Sequence, residues 1–193
     1  MAESFKVLLK TENNFIDQFS GEEYRHFRRR MIECILATDM VNHAKHLTFL
    51  KNKFEGLGIK NGNCVFKLVS NDPSKSFENQ QLVMNMCVHS ADVSNPAKPY
   101  EVYKTWVNLV FEEFFNQGDL EKSQALPVSM MCDRNNTSIS KSQIGFINFV
   151  VLPTFDCLMQ AIPELEPYKT SITHNLGEYE KKLQEEEKLK ENK

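Results

Sequence analysis

The stretch Ser20-Gly21-Glu22-Glu23-Tyr24-Arg25-His26-Phe27-Arg28-Arg29-Arg30-Met31-Ile32-Glu33-Cys34-Ile35-Leu36 decides the fold class. Ser20 and Glu23 have the spacing of a capping box, in which each side chain satisfies a free backbone N–H at a helix start. Phe27, Met31 and Cys34/Ile35 then recur at steps of three and four, the signature of one buried helix face. A helix is predicted from near Gly21 towards Asp39. Working outward, helical spacing continues from Val41 to Phe54 and stops at Gly56-Leu57-Gly58. Strand-like alternation occurs only briefly, around Cys64-Val65-Phe66-Lys67-Leu68-Val69. Ser76 to His89 reads as the next helix, broken by Ser94-Asn95-Pro96. Pro99 then suits the first position of a long helix running to about Gln117 before Gly118, with Tyr103, Trp106, Val110 and Phe114 along its aromatic side. Ser140 is placed to cap an apolar helix from Ile144 to Phe155. The last segment, Glu178 to Lys193, is rich in Glu and Lys and offers only Tyr179, Leu183 and Leu189 for packing, so it reads as a solvated helix or a coiled-coil contact. The class expected is all-α, a compact multi-helix bundle.

At 193 residues, 41% hydrophobic and 25% charged, the chain has the content of one compact domain. Its longest apolar run, Ile147 to Pro153, falls short of the roughly 20 residues of a membrane-spanning helix, so no membrane span is expected. The start, Met1-Ala2-Glu3-Ser4 and then Phe5-Lys6-Val7-Leu8-Leu9-Lys10, lacks the pattern of a secretory signal, and a cytoplasmic location is the expectation. Five cysteines, Cys34, Cys64, Cys87, Cys132 and Cys157, are odd in number and contain no C-x-x-C pair, which argues for buried thiols rather than a disulfide framework or a zinc ribbon. The net charge of −3 and the confinement of Arg25, Arg28, Arg29 and Arg30 to one helix argue against a nucleic-acid partner. No G-x-S-x-G elbow, phosphate loop or G-x-G-x-x-G is present.

Two constellations carry chemistry. In His89-Ser90-Ala91-Asp92-Val93-Ser94-Asn95-Pro96 a carboxylate, Asp92, falls where a helix is about to break. A negative charge near a helix C-terminus opposes the macrodipole by about 0.3–1 kcal/mol, which favours a compensating cation, a basic side chain or a metal. The alternative is a structural carboxylate bonded to a neighbouring helix. In Lys141-Ser142-Gln143-Ile144-Gly145-Phe146 an amide and an aromatic ring stand three residues apart on one face. Such a pair can bond a purine edge and stack on its plane, although a buried glutamine beside a core phenylalanine has the same pattern. His43 and His46 form an H-x-x-H pair that lacks the further ligands zinc takes, and they read as surface histidines.

Taken together, these segments resemble the catalytic domain of the 3′,5′-cyclic-nucleotide phosphodiesterases, a metal-dependent all-helical family. The resemblance rests on Ile35-Leu36-Ala37-Thr38-Asp39-Met40 with His43, on His89 to Pro96, on Glu112-Glu113-Phe114-Phe115-Asn116-Gln117-Gly118-Asp119, on Met131-Cys132-Asp133, and on Ser142-Gln143-Ile144-Gly145-Phe146-Ile147. It runs from about Ser4 to about Tyr168. It implies that residues 1–176 are the latter part of a phosphodiesterase catalytic domain and 177–193 a charged C-terminal tail. It also implies site roles: Asp92 as a ligand of the tightly held metal, Gln143 as the purine-reading amide, and Phe146 with Val110 as the clamp on the base. Asn95, Tyr103, Trp106, Phe114 and Met131 fall where the family lines its nucleotide pocket. The implied cofactors are zinc and magnesium, and the implied ligand is cyclic AMP or cyclic GMP.

The chain departs from its relatives in one half of the chemistry. The family's metal site also takes two histidines and an aspartate, and its general acid is a further histidine, all from helices upstream of the Ser4–Leu9 block. His26, His43, His46, His89 and His174 do not stand in those motifs, so one ligand, Asp92, is assigned and no catalytic residue. Zinc takes four ligands in most protein sites, so weak metal binding is expected of the chain alone. Phe27, Met31, Trp106 and Phe114 are expected on a bare face that a further polypeptide would cover. The expected function is the nucleotide-recognising portion of a phosphodiesterase that hydrolyses the 3′ phosphoester of a cyclic nucleotide in signal transduction, inactive by itself. The alternative is a catalytically dead binding or scaffolding module.

Overall fold

The computed structural model describes residues 2–60 and 72–191, and the strand-like alternation at 64–69 lies outside them. Every regular element among the described residues is helical. The chain divides into two compact units, Met1–Asp92 and Val93–Lys193.

In the first unit, α1 (Ala2–Leu8) precedes α2 (Gly21–Leu36), which begins where the capping box requires. The Glu23 backbone N–H donates to Ser20 Oγ at 3.3 Å, and the Ser20 N–H donates to Glu23 Oε2 at 2.8 Å. A 3-10 turn, Met40–Asn42, is capped by Asp39 and leads into α3 (His43–Gly56), and α4 (Pro73–Asp92) packs on α2 and α3. Gly58 closes α3 with a positive φ of 60°, which a residue with no Cβ adopts without penalty. The arginine cluster lies mostly on the surface. Arg29 pairs with Glu33 at 2.6 Å, while Arg28 stacks over Phe5 and Arg30 over Phe77. Phe27 is half-buried, with Phe15 and Phe19 set edge-on to its ring. Together with Phe5, Val7, Leu8 and Met31 it lines an apolar hollow of about 460 Å³.

His43 corrects the sequence reading more sharply. It is buried, and its Nδ1 lies 2.8 Å from Nε2 of the fully buried His89, so one imidazole donates to the other. Burial holds both rings below the usual histidine range, and each is kept neutral by the same cause. The pair ties α3 to α4 one turn before Asp92.

In the second unit a 3-10 turn, Asn95–Ala97, precedes α5 (Tyr100–Ser123), for which Pro99 is the N-cap. α6 (Ile139–Phe146), a π-helical turn (Ile147–Val151) and α7 (Leu152–Met159) follow as one winding, and α8 (Glu166–Glu191) runs past both α6 and α7. The core gathers Ala97, Tyr103, Val107, Phe111, Ile147, Val151, Phe155, Ile172 and Tyr179. α5 does not stop before Gly118. A Cβ at that position would stand 1.9 Å from the Cys132 carbonyl oxygen, so the glycine serves a backbone crossing inside the helix rather than its end. The cap of α6 is Ser138, whose Oγ accepts the Lys141 N–H, and Ser140 lies two residues further in.

The winding changes at Pro153, which has no N–H to return to residue 149. Just ahead of it the Leu152 N–H reaches back five residues to the Ile147 carbonyl, and the Thr154 hydroxyl donates to the Val150 carbonyl at 2.6 Å. The continuous stretch Ile139–Met159 is 21 residues, long and apolar enough by length and composition to cross a membrane, which the shorter run Ile147–Pro153 is not. Its buried third includes Ile147, Val151 and Phe155, and these are core residues of this unit.

Candidate nucleotide-binding site

α5 carries two stripes. Tyr103, Val107 and Phe111 repeat every four residues and are buried, whereas Trp106, Leu109 and Val110 point outward, Trp106 with half of its surface exposed. The aromatic side read from the sequence, Tyr103-Trp106-Val110-Phe114, therefore crosses from core to surface rather than following either stripe. Phe114 is half-buried and meets Phe111 edge-on at 5.8 Å. Lys98 Nζ stands 5.4 Å over the Trp106 ring.

Three of the singled-out polar residues are joined. The Tyr103 hydroxyl donates to Gln143 Oε1 at 2.6 Å, and Asn95 Nδ2 makes a long 3.5 Å bond to the Tyr103 carbonyl. Burial pushes the Tyr103 phenol far up, with Tyr179 and Tyr100 adding to the shift, so it remains a donor at any physiological pH. Gln143 keeps one lone pair on Oε1 and both N–H donors for a further partner. Asn95 Oδ1 is buried and has no hydrogen-bond partner. A buried acceptor left open costs about 1–3 kcal/mol, which makes it a place where a ligand N–H would be welcomed. Phe146, three residues after Gln143, packs against the same core cluster as Phe114.

Met131 lies on the loop between α5 and α6. Its backbone is left-handed at φ 66°, a conformation that costs a residue with a Cβ about 1–2 kcal/mol. The loop is held there from both sides. Cys132 sits on Gly118, Glu121 accepts the Ser129 N–H and hydroxyl at 2.7 Å each, Lys122 pairs with Asp133 at 2.7 Å, and Arg134 pairs with Asp119. The Asp133 carboxyl, bonded by Lys122, Asn136 and the Asn135 N–H, is held down at about 2. Gly118 and Glu121 thus hold the loop that carries Met131. Their partners, Ser129 for Glu121 and Cys132 for Gly118, lie further along the chain in the loop.

Asp92 ends α4 and is exposed. Among the described residues no three His, Cys, Asp or Glu side chains gather as a metal site, so these residues do not fit a catalytic metal by themselves.

A sequence model of the 3′5′-cyclic nucleotide phosphodiesterases matches residues 1–172. The chain belongs to this family. Relatives include a probable 3′,5′-cyclic-AMP phosphodiesterase of Caenorhabditis elegans, 33% identical over 96% of this chain and 27% of its own length. A dual specificity calcium/calmodulin-dependent 3′,5′-cyclic nucleotide phosphodiesterase of Drosophila melanogaster is 35% identical over 92% of this chain and 20% of its own length. Among solved structures, the phosphodiesterase domain of a Salpingoeca rosetta rhodopsin phosphodiesterase superposes with a TM-score of 0.84 at 32% identity, covering 99% of this chain and 55% of that one. The chain thus spans about a quarter of the curated phosphodiesterases it matches and about half of that solved domain.

Proposed function

We propose that this chain is the purine-recognising portion of a cyclic-nucleotide phosphodiesterase. Gln143 reads the base edge, Phe146 and Val110 grip its faces, and Asn95, Tyr103, Trp106, Phe114 and Met131 line the pocket. The Tyr103 bond to Gln143 carries this reading, because it turns a free amide into one of fixed orientation with a paired donor and acceptor to spare. The open Asn95 acceptor beside it supports the same assignment. The ligand is cyclic AMP or cyclic GMP, since an amide that presents both a donor and an acceptor serves either purine. Asp92 would supply one ligand to a zinc and magnesium pair whose other ligands the described residues do not gather, and hydrolysis of the 3′ phosphoester, a signalling reaction, would belong to the complete domain. The outward Trp106, Leu109 and Val110 support a covering polypeptide as a second partner. The free thiols of Cys34 and Cys132 support a reducing, cytoplasmic compartment.

Trp106 is the single tryptophan, so its fluorescence reports binding. Titration with cyclic AMP and cyclic GMP is expected to give saturable quenching by at least one of them, and its absence with both overturns the reading. An assay of hydrolysis then separates an enzyme portion from a binding module.

A further inference from the structure

Residues 173–191 lie beyond the span matched by the family model, and most of them read from the sequence as a solvated tail. In the structure their helix is the support of the site just described. Asn175 Nδ2 donates to the carbonyls of Pro96 at 2.7 Å and Lys98 at 2.8 Å, closing the turn that begins with Asn95. Tyr179 is buried edge-on to Tyr103, with ring centroids 5.3 Å apart, behind the phenol that bonds Gln143. Glu186 accepts the Ser140 hydroxyl at 2.6 Å and the Ser138 hydroxyl at 3.1 Å. The spacings of four and seven put all three residues on one face of α8.

The Glu186 contact differs in kind from the other two. Ser138 is the N-cap of α6, and its Oγ accepts the Lys141 N–H while its own proton goes to the carboxylate. Each bond polarises the hydroxyl for the other. Ser140 is buried, and Glu186 is the acceptor its hydroxyl has. A carboxylate at this end also meets the positive pole of the helix. We propose that Glu186 is a positioning residue for purine recognition: by holding the Ser138 and Ser140 hydroxyls it fixes the first turn of the helix that presents Gln143 and Phe146. This rests on the reading of those two residues as the base grip.

Two measurements on the whole chain separate the proposal from that reading. Without nucleotide, amide hydrogen exchange over residues 139–146 is compared in the wild type, Glu186→Ala and Glu186→Gln, together with the side-chain amide resonances of Gln143. A buried donor stripped of its acceptor loses about a factor of ten in the bonded population, so exchange in Glu186→Ala should rise by about tenfold and the Gln143 signals should move. Glu186→Gln, which keeps the shape and one acceptor oxygen, should fall between. With cyclic AMP and Trp106 fluorescence, Glu186→Ala should raise Kd by about tenfold as well. Unchanged exchange overturns the proposal, and so does altered exchange with unchanged affinity. If the alanine variant fails to fold, the glutamine variant carries the same two outcomes. A wild type that binds neither cyclic AMP nor cyclic GMP removes the base-grip reading, and the exchange and resonance data still decide whether Glu186 positions Gln143.

Discussion

The two ends of the proposed site are held by different physics. At the base-reading end, Tyr103, Gln143 and Asn95 are joined by hydrogen bonds whose atoms are largely out of water, and Tyr179 and Asn175 stand behind them. At the other end Met131 rides on an exposed loop fastened by ion pairs and one backbone-on-glycine crossing. Buried bonds have strict geometry and little sensitivity to salt, whereas exposed pairs are each worth about 0–1 kcal/mol and are screened. In the proposed site this sets a rigid grip for the base beside a loop that solution conditions alone can loosen.

Gly118→Ala strikes the second end hardest. Its new methyl would occupy the Cys132 carbonyl, and overpacking against backbone should cost about 3 kcal/mol in urea unfolding of this unit. A loss under 0.5 kcal/mol would show that the loop moves aside freely and that the crossing does not hold Met131. Gln143→Ala tests the first end, with a loss of about 1–3 kcal/mol in purine binding while the melting temperature stays near the wild-type value. Tyr103→Phe is expected to be milder, about 1 kcal/mol in affinity, since the amide survives but is free to turn. Equal affinity in Tyr103→Phe and wild type would mean the phenol does not orient Gln143.

The smallest effect is the most discriminating. Asp133 is held at about 2, below the value near 4 of an unfolded aspartate, so its tether is fully present above about pH 4 and is lost as pH falls through about 2. Raising salt at neutral pH should likewise speed hydrogen exchange at residues 129–136 by a small factor and leave 139–146 untouched. Equal responses at the two ends would erase the contrast drawn here.

Local chemistry made half of this legible from the sequence. The Ser20–Glu23 box and the sharing of one face by Gln143 and Phe146 depend on residues three apart, and both hold. Where a partner is distant, the same rules misled. Gly118 was read as a helix end because glycine ends helices by default, but its missing side chain makes room for Cys132. Ser138 and Ser140 have equal intrinsic claims to a cap, and the outcome places Ser138 there with Glu186 on both hydroxyls. Apolar periodicity found Tyr179 in the last helix and missed Asn175 and Glu186, since α8 docks on this unit through polar side chains as well. The histidine bond between positions 43 and 89 had no sequence signal.

The π-helical turn at Ile147–Val151 carries a further consequence for how this segment can change over generations. An i→i+5 turn holds one residue more than an α-helical turn, so a residue removed between 147 and 151 closes it to α-helix and leaves Gln143 and Phe155 near their present register. A residue removed from the α-helical stretch on either side finds no such slack, and at about 100° per residue it swings the amide a quarter-circle or more away from Tyr103. The turn is therefore the place in this segment where a variant can shorten the chain and keep the amide facing the phenol.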